Sequence, residues 1–249
     1  MEGTNNMCQL NIGQTISRAW ELTKKHFFIF LALVFLMQLI GVIPNGAQYA
    51  NYLEFMMKNG GVITDEMMME AVNSGAQTSI ITTIICYILQ LYLGIVTYRL
   101  ANDAAKGLQP DLTARLRNGA QGFLYYLIIT IIFSLMIAVG CIFCIIPGVF
   151  LAVRFGFAPL IAALHPERSF GDCFEQSWDI TKGNFWNLFL LGIVAFALNI
   201  LGLICCCVGI FVTSIITIFI YIIAYRTLAN EDEKPTGDFS SENLTIVRE

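Results

Sequence analysis

The chain has 249 residues, of which 57% are apolar and 13% are charged, and its net charge is −4. An ordinary soluble domain carries about 25% charged residues. A chain with a mean hydropathy of +0.69 cannot cover a soluble surface with so few charges. The composition therefore excludes an ordinary soluble domain, and the lack of a basic excess argues against nucleic acid as a partner.

Six long apolar segments follow one another along the chain, each near the ~20 residues that cross ~30 Å of hydrocarbon. The third and fourth form one continuous run, which we divide at Pro147 and Gly148 because this dipeptide is typical of turns. Residues 1–26 lack the apolar core of a signal peptide, so the first segment is expected to remain as a span. The predicted fold class is all-α, with transmembrane helices at 27–43, 79–98, 123–146, 148–164, 185–205 and 208–225.

The basic residues predict the orientation of these spans. Of the 14 Lys and Arg residues, 12 lie on one side of a six-span chain, Lys58 lies on the other side, and Arg154 lies within a span. Cytoplasmic loops of membrane proteins carry an excess of Lys and Arg. We therefore expect both termini in the cytoplasm.

The chain also repeats itself. Residues 20–24 read Trp-Glu-Leu-Thr-Lys and residues 178–182 read Trp-Asp-Ile-Thr-Lys, while the second and sixth spans both end in Tyr-Arg. Direct repeats are one known way of building membrane proteins. We predict a single membrane domain, residues 1–249, made of three pseudo-repeats, each a cytoplasmic amphipathic helix followed by a transmembrane hairpin. They cover about 11–102, 111–165 and 169–230, and a polar tail occupies 231–249.

The first repeat is the longest because its hairpin loop, residues 45–78, is expanded. Within this loop Thr64 is a candidate cap for a short helix over 65–73, which Ser74 and Gly75 would end. We expect this loop to be the only sizeable element on the external side.

The predicted amphipathic helices have recognisable ends. Asn11 is a candidate cap for the first, Ser169 and Asp172 resemble a capping box for the last, and Gly183 can close the last. Before the first span, Ile12, Ile16, Ala19 and Trp20 form an apolar stripe at helical spacing. Two roles stay open, docking the bundle at the interface or binding a partner or lipid; the candidate interfacial anchors are Trp20, Lys24, Trp178, Lys182 and Trp186.

Arg154 is the most informative single residue. It follows Pro147 by seven residues, which places it about 10 Å below the external surface at ~1.5 Å per residue. No Asp or Glu lies in any of the six segments, so its partner is a carbonyl, an amide, water or an anion such as a lipid phosphate. Asn199 lies at a similar depth below the same side and Gln38 somewhat deeper, and the three side chains are candidates for one ligand-binding pocket. The alternative is a structural arginine that snorkels to the surface.

Small residues indicate close helix packing at one place and short turns at two others. Gly148, Ala152 and Gly156 form a small-residue row that favours close approach of a neighbouring helix. The cysteines at 141, 144 and 205–207 occupy equivalent predicted turns. A disulfide, small residues in tight turns and a metal site remain alternatives there; no His accompanies the thiols, and we expect neither a metal ion nor a cofactor.

Catalytic motifs are missing from the sequence. There is no G-x-S-x-G, Walker A or H-E-x-x-H motif and no pair of acids within the spans. His26 and His165 lie at the predicted cytoplasmic ends of spans, far apart in the sequence. The chain is therefore not expected to be an enzyme.

Three stretches resemble a bacterial family of six-span membrane proteins. They are Ile-Pro-Gly-Val-Phe-Leu-Ala-Val-Arg-Phe at 146–155, Phe-Glu-Gln-Ser-Trp-Asp-Ile-Thr-Lys-Gly-Asn-Phe-Trp at 174–186, and Tyr225 with Arg226. The family is related to the membrane domain of glycerophosphodiester phosphodiesterases. The resemblance implies a bacterial inner membrane and a non-catalytic module. The hydrolase domain fused to some members is not expected, since about 24 residues follow the sixth segment.

Together these patterns predict a non-enzymatic inner-membrane protein that binds lipids or a partner. Its expected partners are membrane lipids and another membrane protein. The alternative is a small transporter or channel for an anionic or amphiphilic solute, with Arg154 at its site. The sequence carries no signal for an oligomeric state.

Overall fold

The computed structural model describes residues 10–58, 65–143, 145–204 and 207–230, and every regular element in these ranges is an α-helix. This agrees with a bilayer environment, where a single segment satisfies its backbone hydrogen bonds only as a helix. In chain order the helices are α1 (Ile12–Lys25), α2 (Phe27–Lys58), α3 (Asp65–Ala105), α4 (Leu112–Asn118), α5 (Phe123–Phe143), α6 (Ile145–Phe155), α7 (Ala158–Leu164), α8 (Phe170–Thr181), α9 (Phe185–Ile204) and α10 (Cys207–Leu228).

Six apolar stretches are long enough to cross a membrane, which confirms the number of predicted spans; the fourth covers both α6 and α7. They are Phe27–Pro44, Ile80–Ala105, Phe123–Ile142, Ile146–Leu164, Phe185–Ile204 and Gly209–Leu228. Half of the last stretch is buried inside the protein, against 17% of the stretches in α5 and α9. Helix α10 therefore forms the centre of the bundle, where it packs against α1, α2, α3 and α9.

Consecutive long helices pack side by side, α2 on α3, α5 on α6, and α9 on α10. Glycines permit the closest approach in two of these pairs. A Cβ at Gly140 would lie 3.0 Å from the Cα of Gly148, and a Cβ at Gly202 would lie 2.9 Å from the carbonyl oxygen of Gly209. Gly140 and Gly202 are equivalent in the predicted repeat, but the three-fold repeat itself remains a prediction.

Two predicted boundaries were wrong. Pro147 does not form the turn between the third and fourth spans, because α6 already begins at Ile145. Proline fits in the first turn of a helix, where its missing N–H needs no helical acceptor. The loop predicted over 45–78 is also mostly helical, since α2 continues through Pro44 to Lys58 and α3 runs without interruption from Asp65 past Gly75. Thr64 lies outside the described residues.

The predicted helix ends are confirmed. The side chain of Asn11 accepts a hydrogen bond from the backbone N–H of Gln14 at 3.2 Å. Ser169 and Asp172 form the capping box of α8, in which the Ser169 N–H donates to Asp172 Oδ2 at 3.2 Å. Gly183 follows α8 with a φ of +84°, a conformation that glycine adopts without strain.

Helices α1 and α8 bury matching positions. The buried residues are Thr15, Ala19 and Thr23 in α1 and Cys173, Ser177 and Thr181 in α8. Aligning Trp20 with Trp178 superimposes the two sets residue for residue. The predicted stripe of α1 is corrected accordingly: Ile12 and Ile16 pack only partly against the core, and Trp20 is 47% exposed.

Candidate functional site

Arg154 lies near the end of α6, and its guanidinium is surrounded by aromatic rings. The guanidinium carbon is 4.6 Å from the centroid of the Trp178 ring on α8. It is 5.5 Å from Phe150, one turn earlier on α6, and 5.6 Å from Phe185, the first residue of α9. All three distances are within the range of cation–π attraction. We refer to Phe150, Trp178 and Phe185 as the aromatic cluster.

The guanidinium has hydrogen-bonding capacity that the described part of the chain does not use. Its Nε and Nη1 atoms are buried and have no hydrogen-bond partner there. No ion pair to a carboxylate is present for Arg154 within the same residues. The aromatic faces compensate the charge but accept N–H donors only weakly. A buried donor without an acceptor costs about 1–3 kcal/mol, more when it is charged, so the site favours an added acceptor.

The backbone at Arg154 is held by α8. The hydroxyl of Ser177 donates a hydrogen bond to the carbonyl oxygen of Arg154 at 2.9 Å. Ser177 is fully buried, and Trp178 next to it carries the ring closest to the guanidinium. Helix α8 therefore positions both the main chain and the side chain of Arg154.

The position of Arg154 differs from the sequence prediction. The side chain contacts Phe185 at the start of α9, so it lies near the end of the bundle that carries α8 rather than near the α5–α6 turn. Asn199 belongs instead to a cavity with Gln38, and Arg154 does not line that cavity. Spacing along α6 gives depth along one helix, but only tertiary packing decides which helices surround it.

The cavity that contains Gln38 and Asn199 lies between α2, α3, α5, α9 and α10 and has a volume of about 420 Å³. None of its lining residues is charged. They are Val34, Met37, Gln38, Tyr87, Gln90, Leu91, Gly94, Thr97, Tyr98, Tyr126, Asn199, Ser214, Thr217 and Ile218. Such a mixture of apolar walls and a few polar groups is typical of ligand cavities. We call this space the central cavity.

A second, more apolar cavity of about 230 Å³ lies between α6, the junction that follows it at Gly156 and Phe157, α9 and α10. Ala152 and Gly156 line it together with Leu188 and Leu191. Gly148, by contrast, lies against Gly140 and Cys141 of α5. The predicted small-residue row therefore has two different surroundings: Gly148 packs against a helix, while Ala152 and Gly156 border a space. We call this space the side cavity.

The predicted interfacial anchors have different environments. Trp186 is 71% exposed at the start of α9, and Lys182 is exposed after α8. The ammonium of Lys24 lies 5.8 Å from the Trp20 ring. Trp178 is 37% exposed and also belongs to the aromatic cluster, so its role extends beyond anchoring.

The predicted cysteine site is only partly described. Cys141 is a free thiol that lies against Gly148. Cys144, Cys205 and Cys206 lie outside the described residues, as does the side chain of Cys207. Burial raises the pKa of Cys173, which is a free thiol on the inner face of α8.

Sequence reasoning missed a polar network around Arg99 at the end of α3. The Arg99 guanidinium donates to the carbonyl oxygens of Ala163 at 2.8 Å and of Asn118 and Gln121 at 2.9 Å each. These carbonyls lie at or just beyond the ends of α7 and α4, where helices leave acceptors without partners.

A carboxylate–guanidinium pair completes this network. Asp103, one turn beyond Arg99, accepts two hydrogen bonds from Arg115 at 2.7 and 2.8 Å. Arg226 donates to the Asn102 side chain at 3.1 Å. The Tyr-Arg endings of the second and sixth spans were the available signal for burial, but the charge count assigned both arginines only to one side of the membrane.

The composition, the six long apolar helices and the uncharged cavities within them define a multi-pass α-helical membrane protein. A family model described as a domain of unknown function (DUF7847) matches residues 120–247, slightly more than half of the chain, and the protein belongs to this family. No curated protein and no solved structure matches the chain.

Proposed function

We propose that the protein is a non-enzymatic membrane module that binds a lipid with an anionic headgroup at Arg154. The observation that carries this proposal is the pair of buried guanidinium nitrogens without an acceptor in the described residues. A phosphate group supplies oxygen acceptors and a negative charge together, and each N–H bond from guanidinium to phosphate is charge-assisted and therefore strong. The aromatic cluster keeps the guanidinium in place when no anion is bound.

The side cavity supports a lipid rather than a free anion. It has walls from α6 and α9, the two helices that also contribute Phe150 and Phe185 to the aromatic cluster. Its lining is mostly aliphatic or small, which suits an acyl chain. A phospholipid would place its phosphate at Arg154 and part of a chain between α6 and α9.

The location and orientation belong to the same proposal. The 12-to-1 distribution of basic residues supports cytoplasmic termini, with α1, α4 and α8 at the cytoplasmic surface. The resemblance of residues 146–155 and 174–186 to the bacterial six-span family supports the inner membrane of a bacterium. The matching buried positions of α1 and α8 support the repeat.

Native mass spectrometry of the purified protein with phosphatidic acid tests the binding site. We expect wild type to retain the lipid, Arg154→Lys to retain it more weakly and Arg154→Leu to lose it, because lysine keeps the charge without the planar fork. Arg117→Leu is the matched control, since it removes one exposed arginine and leaves α6 unchanged. Equal retention by wild type and Arg154→Leu would contradict the proposal and leave a structural arginine.

Transport of an amphiphilic solute is the second candidate, because the central cavity lies among the spans. An anionic solute with Arg154 at its site is less well supported, since Arg154 does not line this cavity. Flux of a solute across proteoliposomes that is lost on filling the cavity would favour transport. Lipid retention without flux would favour the binding module.

A further inference from the structure

The serine and threonine hydroxyl groups that line the central cavity use their protons within their own helices. Three hydroxyl groups in its lining donate to carbonyl oxygens one turn earlier in their own helices. The bonds run from Thr97 to Leu93 at 2.8 Å, from Ser214 to Ile210 at 2.7 Å, and from Thr217 to Thr213 at 2.8 Å. Each hydroxyl has one proton, so these three oxygens are left with lone pairs that can accept.

Two amide groups of the cavity also donate within the protein and leave their oxygens as acceptors. Asn199 Nδ2 donates to the carbonyl oxygen of Ala195 at 2.8 Å and to Thr217 Oγ1 at 2.9 Å, which uses both of its protons. Gln90 Nε2 donates to the carbonyl oxygen of Met37 at 3.1 Å. Gly41 permits this approach, because a Cβ there would lie 2.6 Å from the Gln90 amide nitrogen. Both amides keep their oxygens as acceptors.

The lining therefore offers more acceptors than donors. Gln38 and the tyrosine hydroxyls can act either way, whereas the five groups above act chiefly through oxygen. A phosphate or carboxylate would face these lone pairs, and within the described part of the chain no Lys or Arg lines the cavity to offset the repulsion. A ligand that donates hydrogen bonds and carries no charge matches the lining.

We propose that the central cavity is a second binding site, separate from Arg154, for an uncharged lipid whose head is a hydroxyl group. The hydroxyl has one proton and donates it to Asn199 Oδ1 or to Ser214 Oγ. The chain lies along the apolar wall formed by Val34, Met37, Leu91 and Ile218. The two sites then select opposite headgroup chemistry, a phosphate at Arg154 and an alcohol in the central cavity.

Three lipids with the same acyl chains test this assignment: dioctanoylglycerol, its methyl ether and dioctanoyl phosphatidic acid. Native mass spectrometry of the full-length protein in detergent gives the apparent affinity of each. We expect dioctanoylglycerol to bind about fivefold more tightly than its methyl ether, which is the size of one net hydrogen bond. Equal affinity for the alcohol and the ether would overturn the proposal.

Substitutions locate the binding. One of Ser214→Ala and Asn199→Leu removes the oxygen that accepts the hydroxyl proton and should weaken dioctanoylglycerol binding about fivefold without changing phosphatidic acid binding. Wild-type affinity in both variants would contradict the assignment. Thr213→Ala is the control, because Thr213 also donates to a carbonyl of its own helix at 3.2 Å but does not line the cavity. An equal loss with Thr213→Ala would contradict the assignment. Where a variant unfolds, Gly94→Leu fills the same cavity from α3 and should also lower the affinity.

Arg154→Leu separates this site from the first. It should abolish phosphatidic acid binding and leave dioctanoylglycerol binding unchanged. If Arg154→Leu instead weakens binding of the uncharged lipid, the two sites are one and the proposal for the central cavity is wrong. If Arg154→Leu binds phosphatidic acid as well as wild type does, the Arg154 proposal is wrong and the proposal for the central cavity is unaffected.

Discussion

The centroid of the Trp178 ring on α8 lies 4.6 Å from the guanidinium carbon of Arg154 on α6, although the two residues are 24 positions apart in the sequence. Trp178 on α8 is thus a partner of a buried cation. Trp20, its counterpart in the predicted repeat, lies on α1, and the ammonium of Lys24 is 5.8 Å from the centroid of its ring. The same Trp-x-x-x-Lys motif therefore serves two different environments.

This difference predicts unequal costs of removing the two rings. Trp178→Leu should lower the free energy of unfolding by about 1–2 kcal/mol more than Trp20→Leu, because it removes a desolvated cation–π contact. Thermal unfolding of both variants in the same detergent measures the difference. Equal losses would mean that the rings contribute only as interfacial anchors.

The close approach of α9 and α10 predicts a strong effect of a single methyl group. A Cβ at Gly202 would lie 2.5 Å from Thr213 Oγ1, so Gly202→Ala should destabilise the protein by about 1–3 kcal/mol through overpacking. Gly192→Ala on the same helix meets nothing within 4 Å and should leave stability unchanged or slightly raised. If both variants unfold at the same temperature as wild type, α9 and α10 are less tightly packed than the structure shows.

His26 predicts a pH dependence of stability. Burial, and then the charge of Lys25, lower the pKa of His26 from 6.5, and its Nε2 has no partner among the described residues. The folded state therefore prefers neutral imidazole. The contribution of His26 is fully present above the unfolded pKa and is lost as the pH falls through the lowered folded pKa.

Thermal unfolding at about pH 8 and about pH 5 checks this, because the loss of stability is expected at pH values around and below the ordinary histidine pKa. Wild type should lose more stability on acidification than His26→Asn, which introduces the residue found at position 184, the counterpart of position 26 in the predicted repeat. A larger loss of stability on acidification in His26→Asn than in wild type would show that protonation of His26 does not destabilise the folded state.

Single cysteines in a cysteine-free background test the orientation. Lys58→Cys should react with a membrane-impermeant maleimide from outside the cell, whereas Lys106→Cys and Arg168→Cys should react only after the membrane is opened. The expectation rests on the 12-to-1 distribution of Lys and Arg. If Lys58→Cys does not react in intact cells, the predicted orientation of the spans is wrong.

Features that depend only on residues close together in the sequence could be predicted well. The caps at Asn11 and Ser169 and the number of spans follow from local patterns within a few residues or one segment. The surroundings of Arg154 could not be predicted, because Trp178 and Phe185 reach it from two other helices. Arg99 was missed for the same reason, since its three carbonyl acceptors come from α7, α4 and the turn after α4.

The most direct test of anionic lipid binding at Arg154 is the NMR signal of its own Nε–H group. Protein labelled with ¹⁵N-arginine is titrated with dioctanoyl phosphatidic acid, and the signal is assigned by its absence in Arg154→Lys. A hydrogen bond to phosphate should shift this proton downfield in proportion to occupancy, while dioctanoylglycerol leaves it unchanged. An unshifted Nε–H at saturating phosphatidic acid would contradict the proposal that Arg154 holds the headgroup.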